Sequence, residues 1–224
     1  MIRVRGYAGE ELVLDLPVGH GEDPDDLLAA NGWAGRTVRV EGVHPDLVLV
    51  ADVHPVQTRP LTSRAVGEGL TRSERSRVIP VQRIAAYAVV VATPGLLLTQ
   101  LSPRTGAPGL WNLPGGGIDP GESPTAAVVR EVHEETGQVV TEVALLGVQS
   151  RHWVGTSRRG VEDYHALRIF HTASCRSPSD PVVHDVGGST SQARWVALSE
   201  LLDWPLATGI PEVLTAAGVT PAGR

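Results

Sequence analysis

Hydrophobic and polar residues along the first third of the chain alternate in short stretches that are rich in valine. Residues 2–16 predict two strands around a turn, and residues 37–43 and 47–53 predict a hairpin. Between them, residues 24–30 predict a short helix, with Asp23 as its N-cap and proline at its first position. The pattern therefore predicts a small extension that is rich in strands.

The pattern changes from residue 81 onward, where longer apolar stretches alternate with helical segments. Residues 84–92 and 96–101 predict a buried hairpin around a Thr-Pro-Gly turn. Further strands are predicted at residues 139–149, 164–174 and 193–196, and helical segments at residues 199–203 and 210–217. This order predicts an α/β (α+β) domain in which helices cover a mixed sheet.

Residues 57–80 separate these two parts and carry scattered proline, glycine, serine and arginine, which is typical of a linker. We therefore predict an extension over residues 1–56, a linker over residues 57–80 and a main domain over residues 81–224. For the extension, additional packing or a contact in a homodimer is favoured over a lid above a substrate, because no catalytic pattern occurs in it.

The strongest helical pattern lies in the middle of the chain, after a run of three glycines. Ser123 is a suitable N-cap, Pro124 suits the first helical position, and Gly137 predicts the end of the helix. A 3.6-residue repeat gives this helix an apolar stripe, which is predicted to contain Thr125, Val128 and Val132.

Three glutamates of this helix, Glu131, Glu134 and Glu135, are spaced so that they face one side. Like charges repel, and a divalent cation such as Mg²⁺ or Mn²⁺ would relieve that repulsion. Arg130 can pair with Glu134 and can also reach Glu122 in the preceding loop. A solvated acidic helix is the alternative, but it does not explain the fixed offsets of the glycines, Glu122 and Arg130.

Composition restricts the class of protein and the compartment. The 224 residues carry a formal net charge of -6, which argues against a general nucleic-acid binder. One cysteine excludes an internal disulfide, and no apolar run is long enough to span a bilayer. We expect no membrane association and a cytoplasmic location. All 19 basic residues other than histidine are arginine, so a single exposed arginine is weak evidence for phosphate binding.

Residues 116–138 resemble the Nudix box, G-x5-E-x7-R-E-U-x-E-E-x-G-U, in which U is a bulky aliphatic residue. The matching positions are Gly116, Glu122, Arg130, Glu131, Val132, Glu134, Glu135 and Gly137. Gln138 departs from the pattern, because an aliphatic residue is usual there, and Val139 or Val140 could replace its packing. The resemblance covers about residues 81–204.

The resemblance implies a Nudix-type α/β/α sandwich and a hydrolase that requires Mg²⁺ or Mn²⁺. It implies four metal ligands: the carboxylates of Glu131, Glu134 and Glu135, and the carbonyl of Gly115. Glu131 or a nearby carboxylate would activate the attacking water, while Glu122 and Arg130 would brace the site. Bound metal lowers the pKa of water and neutralises a pyrophosphate, so this chemistry agrees with the donor set.

Four residues outside the box are candidates for substrate binding. Trp111 and Trp153 could stack on a base or sugar, with packing in the core or at its rim as the alternative. Arg104 could contact phosphate, and Glu162, in a polar segment before a predicted strand, could supply a further carboxylate. Asp163 and Asp185 are rivals of Glu162 for that role.

The substrate class implied by the resemblance is a nucleoside diphosphate linked to another group. A nucleoside triphosphate, including an oxidised or otherwise non-standard one, is favoured. An ADP-ribose or nucleotide-sugar diphosphatase is the alternative. A nucleotide-sensing regulator without turnover is an alternative of another class, which is disfavoured because Glu131, Glu134 and Glu135 are all present.

Overall fold

A computed structural model describes residues 1–61, 78–157 and 160–220. The chain divides into two compact units, and the assignments below concern the described residues of each. The first unit comprises Met1–Ala85, Ile118–Ser123 and Gly147–Ile169, and the second comprises Ala86–Gly117, Pro124–Leu146 and Phe170–Arg224. The predicted boundaries of the extension, linker and main domain stay a prediction, because residues 62–77 of the linker lie outside the described residues.

A four-stranded sheet is formed by the N-terminal residues of the first unit. Its strands are β1 (Arg3–Ala8), β2 (Glu11–Pro17), β3 (Trp33–Val43) and β4 (Asp46–Pro55), in the order β2-β1-β4-β3. Strand β1 is antiparallel to β2 and parallel to β4. Helix α1 (Pro24–Ala30) has the predicted bounds, and the Asp23 carboxylate accepts the Asp25 N–H at 2.9 Å. The strand-rich character of this segment is confirmed.

The second sheet has seven strands. They are β5 (Ile79–Ala92), β6 (Gly95–Leu101), β7 (Trp111–Asn112), β8 (Gly115–Gly117), β9 (Thr141–Ser157), β10 (Gly160–Ser174) and β11 (Thr190–Val196). The main order is β11-β6-β5-β10-β9, while β7 pairs with β6 and β8 pairs with β5. The α/β class is confirmed. Strands β7 and β8 were not predicted, because two or three residues are too few to show a period.

Helix α2 (Pro124–Thr136) begins at the predicted proline, and Gly137 ends it with φ 70°. Val128 and Val132 are fully buried, as predicted. Thr125 is exposed, so its assignment to the apolar stripe was wrong. The buried stripe runs through Ala127 instead, because Ala127 lies beside Val128 on the side of the helix that faces the core.

The core of the second unit is built from aliphatic side chains of β5, β6 and β11 and from the C-terminal helices. These helices are a 3₁₀ helix (Leu198–Asp203) and α3 (Ile210–Ala216). The largest fully buried side chains in this core are Phe170, Leu96, Leu98, Leu113 and Ile210. Burial of each contributes roughly 1.5–3 kcal/mol relative to leaving it exposed. Within the described residues, no helix is long and apolar enough to cross a membrane.

Candidate active site

Strand β8 consists of three glycines, and its backbone lies against helix α2. Gly115 is the first of these glycines. Gly115 has φ 143°, and a Cβ at this position would lie 2.2 Å from the carbonyl oxygen of Ala86. No other residue fits there without moving β5. The Gly115 N–H donates to a carboxylate oxygen of Glu135 at 2.9 Å, so the strand and the helix are joined directly.

Glu131 occupies the space that a side chain at Gly116 would need. A Cβ on Gly116 would lie 2.6 Å from the carboxyl carbon of Glu131 and from both of its oxygens. The Glu131 side chain is 15% exposed. The absence of a side chain at Gly116 therefore lets this carboxylate lie against the β8 backbone.

Arg130 links the carboxylates of α2 to β8. Its Nη1 donates to Glu131 at 2.8 Å and to Glu134 at 3.0 Å, while Nη2 donates to the Gly117 carbonyl at 3.0 Å. The predicted pairing of Arg130 with Glu134 is therefore present. The carboxylate of Glu122 accepts the Asp119 N–H at 3.0 Å, and the bracing of Glu122 by Arg130 stays a prediction.

Glu135 differs from the other two glutamates of the helix because it points into the protein. The residue is 4% exposed, whereas 44% of the Glu134 side chain is exposed. Its carboxylate accepts hydrogen bonds from the Gly115 N–H, the Thr190 hydroxyl and the Ser189 hydroxyl. Burial raises the pKa of Glu135 to about 7, although these hydrogen bonds act in the opposite direction.

Ser189 and Thr190 were not found by sequence reasoning. They follow Glu135 by more than fifty residues and carry no local pattern. The segment before them also completes the end of α2, because the N–H groups of His184 and Asp185 donate to the Glu134 carbonyl at 2.8 and 3.1 Å. Asp185 thus lies beside the last turn of α2, on the loop that precedes β11.

Gln138, the one departure from the box pattern, is buried rather than displaced to the surface. Its amide nitrogen donates to the Ser179 carbonyl at 3.2 Å, and its amide oxygen accepts the Ser179 N–H at 3.0 Å. Val140 is 3% exposed, whereas Val139 is 70% exposed. Val140 therefore supplies the apolar packing, and Gln138 fixes the loop after β10 with hydrogen bonds.

Two of the four candidates for substrate binding lie in the second unit. Trp111 is 6% exposed and packs edge-to-face on Trp204, with ring centroids 4.5 Å apart. Its ring is enclosed by the core, so the stacking role is corrected to a packing role. Arg104 is exposed on a loop that Ser102 ties to the Gly188 carbonyl at 2.8 Å, close to the segment that bonds Glu135.

The other two candidates lie in the first unit, on β9 and β10. Trp153 is 39% exposed and lies 5.5 Å from Tyr164 between ring centroids. It borders a groove of about 610 Å³ that Arg151 and Arg168 also line. Glu162 lies inside β10 rather than before it and is 7% exposed, so a role in substrate binding is not supported.

We expect replacement of Arg130 by alanine to lower both stability and activity. It removes the hydrogen bonds to Glu131, Glu134 and the Gly117 carbonyl, so the two carboxylates lose this neighbouring cation. The expected cost is about 2 kcal/mol in the free energy of unfolding, measured by urea denaturation. Arg130→Lys keeps the charge but not the fork of donors, so it should recover only part of the loss. Unchanged stability in Arg130→Ala would contradict the bracing role.

The sequence of the chain is similar to those of known proteins. A family model described as NUDIX domain matches residues 81–217. A putative 8-oxo-dGTP diphosphatase of Bacillus subtilis is 55% identical over 42 residues, 19% of this chain and 28% of the relative. An RNA pyrophosphohydrolase of Aliivibrio fischeri is 48% identical over 44 residues, 20% of this chain and 25% of the relative. The chain thus matches about a quarter of the length of these curated relatives.

Among solved structures, a MutT NUDIX hydrolase from Burkholderia pseudomallei is similar to this chain. The two are 26% identical, and the superposition covers 61% of this chain and 98% of the other with a TM-score of 0.48.

Proposed function

The chain belongs to the NUDIX family, and we propose that it is a divalent-metal-dependent hydrolase of nucleoside diphosphates linked to another group. One observation carries this proposal. Glu131 and Glu134 accept hydrogen bonds from the same nitrogen of Arg130, and the carboxylate of Glu131 lies against the side-chain-free backbone of Gly116. Two carboxylates beside open backbone suit a hard cation together with a phosphate ester.

The donor set fits Mg²⁺ or Mn²⁺, which prefer oxygen ligands. The proposed ligands are the carboxylates of Glu131, Glu134 and Glu135 and the carbonyl of Gly115. When bound, the cation would lower the pKa of a coordinated water and offset the charge of the pyrophosphate. Enzymes of this family generally use divalent metals.

The residues around the carboxylates have supporting tasks in this proposal. Arg130 offsets the repulsion between Glu131 and Glu134, and it holds both relative to Gly117. Glu131 is the proposed base that accepts the proton of the attacking water, because it lies directly on the β8 backbone. Glu135 is fixed by the hydroxyls of the β11 segment. Glu122 is the proposed second brace, in the loop before α2.

For the substrate, we propose a nucleoside triphosphate, including an oxidised or otherwise non-standard one. The Bacillus subtilis relative is named for the diphosphatase reaction on 8-oxo-dGTP, and its similarity supports this choice. An ADP-ribose or nucleotide-sugar diphosphatase remains the alternative. Arg104 is a candidate for contact with phosphate, and Trp153, beside the half-buried Tyr164, offers exposed aromatic surface for a base.

The proposal is tested by measuring release of phosphate and pyrophosphate across a panel of nucleotides with Mg²⁺ or Mn²⁺. The panel contains canonical and oxidised triphosphates, ADP-ribose, nucleotide sugars and dinucleoside polyphosphates. Cleavage of triphosphates that stops when the metal is chelated is the expected result. Cleavage of ADP-ribose or nucleotide sugars instead would select the alternative substrate. Nucleotide binding without any cleavage would favour a sensing role and would overturn the proposal that the protein is an enzyme.

A further inference from the structure

A second group of side chains that could ligate a metal lies in the first unit, and none of its members is a proposed ligand on α2. It is formed by His20 in the loop before α1, His152 on β9 and Asp163 on β10. Their ligand atoms all lie within 4.8 Å of one another. The spacing of residues in the sequence does not reveal this group, because its three members come from segments far apart in the chain.

We infer that His20, His152 and Asp163 form a binding site for a divalent transition-metal ion that favours imidazole, with Zn²⁺ as the best match. Two imidazoles and one carboxylate are the three protein ligands of sites that keep a position open for water or another ligand. Such a donor set differs from the oxygen donors proposed on α2, which suit a harder cation.

The distances between the side chains fit an ion-free form of such a site. The Nε2 atoms of His20 and His152 both contact one oxygen of Asp163, and the first contact measures 3.0 Å. Ligand atoms of a tetrahedral zinc ion lie about 3.3 Å apart. Small outward shifts of the two rings would therefore make room for an ion between them and the carboxylate.

Hydrogen bonding alone leaves this group incompletely satisfied. The side chain of His152 is 12% exposed, and its Nδ1 is buried without a partner among the residues that the structure describes. Nε2, not Nδ1, contacts the Asp163 carboxylate, so Nε2 is the atom through which His152 would bind an ion.

A third histidine supports the site without adding charge to it. His165 is fully buried, with Gln82 Nε2 at 3.0 Å from its Nδ1 and Ser150 Oγ at 3.0 Å from its Nε2. Because an amide nitrogen only donates, Nδ1 accepts and the ring is neutral. The ring therefore adds no positive charge beside the three proposed ligands.

The loop that carries His20 is held in place before any ion binds. The Gly19 N–H donates to the Glu22 carboxylate at 2.6 Å, and the Glu22 N–H donates to the Gly19 carbonyl at 3.2 Å. Gly21 has φ 79°, and a Cβ there would lie 2.6 Å from His152. The turn therefore fits only with glycine against this imidazole. A bound ion would join the N-terminal loop to β9 and β10 and stabilise the folded state.

The test uses the full chain, freed of metal by chelation, with Mg²⁺ in excess to occupy the hard-cation site. Zn²⁺ is titrated against a chromophoric chelator, Co²⁺ binding is followed by visible absorption, and thermal unfolding is recorded with and without Zn²⁺. We expect the chain to bind one equivalent of Zn²⁺. The Co²⁺ form should show the absorption spectrum of a low-coordinate ion with nitrogen and oxygen ligands. Tm should rise by about 5–10 °C when free Zn²⁺ is present at roughly 100 times its Kd.

Variants assign the binding to these residues. His152→Asn and Asp163→Asn should each weaken Zn²⁺ binding by about 100-fold or more and abolish the rise in Tm. His20→Asn changes a side chain that is more exposed than that of His152, and it gives the same test if the other two variants fold poorly. His54→Asn, on an exposed position of β4, is the matched control and should bind as the parent does.

The stacked pair of His133 and His184, with ring centroids 5.2 Å apart, is the competing location. Loss of Zn²⁺ binding in His133→Asn with retention in His152→Asn would overturn the assignment. Absence of Zn²⁺ binding by the parent, or binding that all three ligand variants retain, would overturn it as well, and the group would then be a hydrogen-bonded network only.

Discussion

Replacement of Glu134 by glutamine is expected to lower turnover by a factor on the order of 10²–10⁴ while the fold remains intact. Glutamine keeps the shape of the side chain and an oxygen that can accept from Arg130, but it removes the negative charge. Because 44% of the Glu134 side chain is exposed, the change does not disturb the core. Steady-state kinetics with the best substrate of the nucleotide panel, at saturating Mg²⁺, measure the effect.

A matched control separates loss of a ligand from loss of charge in general. Glu212→Gln makes the same chemical change at an exposed position in the first turn of α3. This variant should retain the activity of the parent within about twofold. Substitutions at exposed positions away from a site rarely change the free energy of unfolding by more than about 0.5 kcal/mol. If Glu134→Gln also stayed within a few fold of the parent, the metal site assigned to α2 would be wrong.

Replacement of Gly116 by alanine is expected to reduce activity about as strongly, for a steric reason. The new Cβ would lie 2.6 Å from the carboxylate of Glu131, so that carboxylate must leave its place on β8. A shift of about 1 Å in a catalytic group can cost about 100-fold in rate. Stability should change little, because the displaced atoms belong to the end of a flexible side chain. The effect should appear in kcat and in the affinity for Mn²⁺.

Gly117→Ala is the control for this prediction. A Cβ on Gly117 would have nothing within 4 Å, and neither Gly116 nor Gly117 has a positive φ. The two variants therefore differ only in whether the added methyl group meets Glu131. Equal losses of activity in both would show that β8 tolerates no side chain at all, and the proposed placement of Glu131 would lose its support.

Much of the local structure could be predicted from the sequence. Helix α1 has its predicted bounds, and α2 begins at Pro124 and ends before Gly137 as expected. Proline, glycine and the N-cap act within one turn of the helix, so their effects can be read without knowledge of the rest of the fold. The resemblance to the Nudix box also rests on the spacing of residues within one short segment, and the family model that matches residues 81–217 confirms the family.

The tertiary structure decided which side chains of the site are buried and which groups they contact. The spacing showed that Glu131, Glu134 and Glu135 share one side of α2, but not that Glu135 is enclosed by hydroxyls of the β11 segment. Trp111 likewise carries the same sequence signal in a core as in a base-binding site, and only its contact with Trp204 distinguishes the two. The helical period fixes the direction in which each side chain leaves the helix axis. The exposure of that side chain depends on which other elements pack against the same side of the helix.

The sequence by itself therefore determined the α2 segment, its acidic face and its family. The tertiary structure decided which carboxylates reach solvent and which histidines meet. His20, His152 and Asp163 are brought together by the packing of a loop against two strands, across more than 130 residues of chain. Contacts of that range depend on the pairing of whole elements, and a local pattern of hydrophobic and polar residues does not specify them.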